Sequence, residues 1–101
     1  MVLFATGAIL TGPRLAQGVD FVIGMSLGDV RGMFQGVSTE QKDAFEREVK
    51  AMRDGLTAKQ VPVSAVQPFL QSMQKAISDK RVTPEEVEQL TGAAREASKA
   101  R

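Results

Sequence analysis

The groups able to do chemistry in this chain of 101 residues are carboxylates, amines and hydroxyls, because it holds no histidine and no cysteine. Without histidine it lacks the usual general base near neutral pH and the commonest metal ligand. Without cysteine it can form neither disulfides nor thiolate metal sites, and its redox compartment stays open. The adjacent Glu85 and Glu86 could be read as paired catalytic carboxylates. Their setting, Val82-Thr83-Pro84-Glu85-Glu86-Val87, assigns them a different role. Thr83 is an N-cap, Pro84 takes the first helical position, Glu86 closes a capping box, and Val82 and Val87 form a hydrophobic staple. Acidic groups there also complement the helix dipole. Asp79 with Glu85 and Glu86 supplies the carboxylates of half a calcium loop, without its alternating oxygen ligands or central glycine.

The remaining Lys, Asp, Glu and Ser side chains fall in no constellation with an activating neighbour. The expectation is therefore a non-enzymatic chain with no catalytic residue, no cofactor and no metal site. A net charge of +1 gives no electrostatic argument for nucleic acid. The stretch LTAKQVPVSAVQPFL echoes helix-turn-helix phrasing, but it has neither the turn nor a basic face.

The most organised pattern is geometric. In residues 19–37, VDFVIGMSLGDVRGMFQGV, the glycines Gly24, Gly28, Gly32 and Gly36 recur every fourth residue. A phosphate loop clusters its glycines between strand and helix and ends in Lys-Ser/Thr, so this is not one. On a helix the four form a bare stripe, and Val19, Ile23, Leu27, Val30, Phe34 and Val37 line the opposite side. Such a helix has two packing faces. Each glycine costs about 0.8–1 kcal/mol relative to alanine, so close approach of another helix is expected to offset them. Asp20, Asp29 and Arg31 argue against a simple lipid-spanning segment. Phe21 and Met25 join Gly24, Gly28, Gly32 and Gly36 as the candidate interface. Met25, Met33, Met52 and Met73 also read as core-like gap fillers.

The elements around this helix follow from composition. Before Ser38 only Arg14, Asp20, Asp29 and Arg31 are charged, and the other twenty-one charged residues lie in 38–101. This divides the chain into an apolar, glycine-rich segment 1–37 and a charged helical bundle 38–101. Ser38 with Gln41 forms a capping box, and Phe45, Val49, Met52 and Leu56 form the inner seam of the helix that follows. Asp43–Arg47 and Glu46–Lys50 are its expected i,i+4 pairs, on a solvated face, and Gly55 suits its left-handed end. Ser64 is expected to cap a third helix with Val66, Leu70, Met73 and Ile77 inside, Phe69 beside them and Pro68 near its first turn. Val87, Leu90, Ala94 and Ala97 line the last helix.

Residues 1–12 carry no charge. They are too few to span a bilayer, and they lack the positive start of a secretory signal. They form either an apolar part of the core or a membrane-proximal anchor. The resulting expectation is an all-α fold, a small bundle of three or four helices, acting as a non-catalytic protein–protein interaction or structural module. Its partner is another protein or a second copy of itself, with no nucleic acid. The alternative is a membrane-associated accessory subunit, with membrane contact through residues 1–27.

Overall fold

The computed structural model describes residues 13–100, with side chains from Ala16 onward, so the expectation for residues 1–12 lies outside the described residues. Four helices follow one another: α1 (Pro13–Gly32), α2 (Thr39–Thr57), α3 (Val63–Ser78) and α4 (Pro84–Ser98). The chain is all-α, a small helical bundle as its periodicity predicts. α2 packs most extensively on α4, α4 also packs on α3, and α1 lies across α2 and α3.

The capping boxes at Ser38 and Thr83 form as the sequence indicates. Gln41 N–H donates to Ser38 Oγ at 3.1 Å, and Ser38 N–H donates back to Gln41 Oε1 at 3.1 Å. At α4, Glu86 N–H donates to Thr83 Oγ1 and Thr83 N–H to Glu86 Oε1. Each box satisfies two amides that the first helical turn would leave unpaired. Val82 and Val87 are fully buried around the second box.

The core is one cluster. Phe45, Val49, Met52 and Leu56 of α2 meet Val87, Leu90, Ala94 and Ala97 of α4, all buried. α3 turns differently from the expected seam. Val66, Phe69, Met73 and Ala76 are buried, whereas Leu70 and Ile77 are half-buried at the rim. Two further corrections fall on α3. Its N-cap is Pro62, with no side-chain hydrogen bond, and Ser64 lies inside the helix. Pro68 is also inside, past the first turn, where its missing N–H removes a hydrogen bond to Ser64.

Gly55 does not end α2 either. It is buried within the last turn and its carbonyl accepts from Gln60 N–H at 2.8 Å, while Lys59 N–H donates to Leu56. That is a Schellman ending whose left-handed residue is Lys59 (φ 63°). Lys80 (φ 61°) plays the same part after α3. A side chain in this conformation is strained, so Lys59→Gly and Lys80→Gly are each expected to stabilise the fold by about 0.5–1 kcal/mol. Thermal melts of the two variants check this.

α1 begins at Pro13 and stops at Gly32, short of the 19–37 span. Beyond it the chain is extended. Val82 N–H donates to Met33 O at 2.8 Å and Gln35 N–H to Val82 O at 2.9 Å, a parallel bridge between Phe34 and Val82. Gly36 follows with φ +68°, which a glycine adopts without strain. It therefore belongs to the turn into α2, not to the stripe on α1. The bridge pulls Phe34 over Phe45, ring edge to face at 5.8 Å.

Candidate functional site

α1 has the two faces that its sequence implies. Ile23, Leu27 and Val30 are 0% exposed, with Ala16 and Val19 half-buried alongside. Burying three such side chains contributes about 1.5–3 kcal/mol each. That sum exceeds the cost of the four glycines at 18, 24, 28 and 32, at about 0.8–1 kcal/mol each. The inner face thus supplies packing energy on the scale of the glycine cost, and the described chain places nothing within 4 Å of a Cβ at Gly18, Gly28 or Gly32.

Two forked ion pairs hold α1 along one edge. Arg53 of α2 donates from Nε and Nη2 to the two Asp20 oxygens at 2.7 and 3.2 Å. Arg31 of α1 donates in the same way to Glu46 at 2.8 and 2.7 Å. Asp20 and Arg31, eleven residues apart, fall on one edge of α1 by helical periodicity, as Glu46 and Arg53 do on α2. Opposite signs in reversed order suit the antiparallel docking of the two helices. This corrects the expected Glu46–Lys50 pair, since Glu46 faces Arg31 and Lys50 instead meets Asp54 at 2.8 Å. Asp43 and Arg47 form no ion pair among the described residues. Part of the charged face of α2 is therefore structural. Arg95 to Glu48 at 3.0 Å ties α4 to α2 likewise.

Hydrogen bonds from Arg31 hold the Glu46 carboxyl below its ordinary value of 4.5, against the opposing push of partial burial. A depressed carboxyl stabilises the fold above its unfolded pKa and loses that contribution as pH falls through the folded value. Both side chains are more than 40% exposed, so the contribution stays under about 1 kcal/mol. Wild type is expected to lose this increment of stability on acidification below about pH 4.5, and Glu46→Gln to lack it, in parallel acid titrations followed by circular dichroism.

The outer face of α1 is bare. Phe21, Val22 and Met25 are 68%, 50% and 61% exposed, the large apolar side chains left in water among the described residues. Met52 and Met73 are buried and Met33 is half-buried, so Met25 departs from the core-like group. A methyl group built on Gly18, Gly28 or Gly32 would have nothing within 4 Å. Gly24 differs, because Arg53 Nη2 stands 3.2 Å from the position its Cβ would take. Gln17, Asp20, Phe21, Gly24, Met25 and Arg53 line an open groove of about 470 Å³ there. Of the candidate interface, Phe21, Gly24, Met25, Gly28 and Gly32 thus share one face, and Gly36 does not. No family model, curated protein or solved structure matches the chain.

Other surface clefts lie elsewhere on the bundle, including one of about 400 Å³ between α2 and α4 with Ala44 and Val87 in its wall. Another, of about 420 Å³, lies over the Arg31–Glu46 and Asp20–Arg53 pairs, and its carboxylates are matched by cations. Among the described residues no three carboxylates gather to hold a metal, and no buried side-chain polar atom lacks a partner. Glu85 and Glu86 sit in the first turn of α4. The two forked ion pairs escaped the sequence reading because local i,i+4 pairs competed for the same side chains. The one available signal was the sign reversal between Asp20/Arg31 and Glu46/Arg53.

Proposed function

We propose that this chain is a non-catalytic helical interaction module that binds through the outer face of α1. Phe21 and Met25 supply the apolar contact, and Gly28 and Gly32 let a partner's backbone come close. One observation carries the reading. Glycines at 18, 28 and 32 weaken a helix, yet no described part of the chain packs against them. Exposed aromatic and methionine side chains on the same face point the same way.

Gly28→Leu separates the two roles of that position. A Cβ at position 28 meets nothing within 4 Å among the described residues, so removing the glycine is expected to stabilise the fold by about 0.8–1 kcal/mol and raise its melting temperature by roughly 4–8 °C. Association, with itself or with a protein that co-purifies from its source, is expected to fall at the same time. A variant that is more stable and associates as before would remove the glycine face from the interface.

The second reading is a membrane-associated accessory subunit. It draws on the same exposed Phe21, Val22 and Met25, and on the absence of charge from the sequence of residues 1–12. No helix among the described residues is long and apolar enough to cross a membrane, so contact through α1 would lie along the surface. Sedimentation with phospholipid vesicles, abolished by Met25→Asp, is the result this reading requires.

A further inference from the structure

We propose that the partner on this face is a second copy of the chain, its α1 lying parallel and in register with the first. This rests on the reading of the outer α1 face as a contact surface. Gly18, Phe21, Met25, Gly28 and Gly32 are spaced three, four, three and four residues apart, the repeat of a two-helix seam. In that repeat Gly18, Met25 and Gly32 take one core position, and Phe21 and Gly28 take the other. Asp29 then flanks one side of the seam and Gly24 the other.

In a parallel pair, each flanking residue on the Gly24 side faces the residue five positions further on in the other helix. Gly24 of one copy therefore faces Asp29 of the other. The glycine has no side chain to meet it, but Arg53 overhangs that spot. Asp20 engages Arg53 through Nε and Nη2, and Nη1 has no hydrogen-bond partner among the described residues. Asp29 is exposed and has no ion-pair partner among the described residues. Two-fold symmetry twice brings the unpaired Asp29 carboxylate up to the remaining Nη1 donor of the Asp20-bound Arg53, beside paired Phe21 rings and paired Met25 side chains. An antiparallel pair would instead set Asp29 on the side of Val22, away from Arg53.

The contact is one helix wide and about 30 Å long, so it falls below the ~800 Å² per partner of a tight complex. The dimer is accordingly weak, concentration-dependent and salt-sensitive. Sedimentation equilibrium of the intact chain is expected to show dimer at about 0.5 mM, with Asp29→Arg raising the dissociation constant about tenfold or more. Asp29 is exposed and forms no side-chain hydrogen bond or ion pair among the described residues, so this variant is expected to keep its helicity. Because the chain has no cysteine, Met25→Cys is a clean probe of direction. Mild oxidation is expected to join the new thiols at position 25 of the two copies to each other. A cross-link formed instead only between Met25→Cys and Gly28→Cys chains would show the opposite direction and overturn the proposal. A chain monomeric at ~0.5 mM would overturn it too. That result would leave the face free for a different protein, a reading that the Gly28→Leu comparison and the protection of position 25 in the cell test separately.

Discussion

Phe45→Ala is expected to lower the stability of the fold by about 3–5 kcal/mol and its melting temperature by roughly 15–30 °C. Phe45 is fully buried where α2 meets the rest of the core, and Phe34 stands edge to face against it at 5.8 Å. Removing the ring opens a cavity and leaves Phe34, held over it by the bridge to Val82, without its contact. A domain of this size has about 5–15 kcal/mol in all, so much of the native state is lost. Phe45→Leu keeps most of the volume and is expected to cost far less. Urea titrations of both variants give the comparison, and a loss under about 1 kcal/mol for the alanine would contradict the packing.

The second large effect comes from two identical changes two residues apart on α1. Ile23→Asp places an unpaired carboxylate in the seam against α2 and α3, at a cost of about 4 kcal/mol or more. Met25→Asp puts the same group on the outer face, already in water, and is expected to change stability by less than about 0.5 kcal/mol. Thermal melts of the pair therefore report the two-faced character of α1 directly. Equal losses would mean that both faces are packed within the chain.

Much of this architecture was legible because its signals are local. Ser38 with Gln41, and Thr83 with Pro84 and Glu86, mark helix starts through bonds made within four residues. The seams Phe45–Val49–Met52–Leu56 and Val87–Leu90–Ala94–Ala97 follow from periodicity alone. What escaped was decided by tertiary contact. Phe69 displaced Leu70 from the core because the turn of α3 is set by its packing against α1 and α4. The pairing of Phe34 with Val82, forty-eight residues apart, ends α1 early and takes Gly36 off the helix. Lys59 and Lys80 hold left-handed positions that composition would give to glycine, so Gly55 drew an assignment that belonged four residues later. For the candidate interface, the wheel placed Phe21, Met25, Gly28 and Gly32 together, and the exposed surface of α1 has them together. It did not show that Arg53 reaches across to Gly24, since that contact depends on the docking of α2.

The central claim is that the outer face of α1 is covered when the protein is at work. Thiol labelling tests it without knowledge of the partner. Met25→Cys and Gln71→Cys both place a single thiol on an exposed position, the second on α3. In the purified, dilute chain the two should label at similar rates. In intact cells that make the protein, the thiol at position 25 is predicted to label more slowly than the one at position 71, by a factor set by the fraction of chains whose α1 face is covered by a bound helix or surface. Equal labelling in the cell would show the face open to water, and would contradict the account.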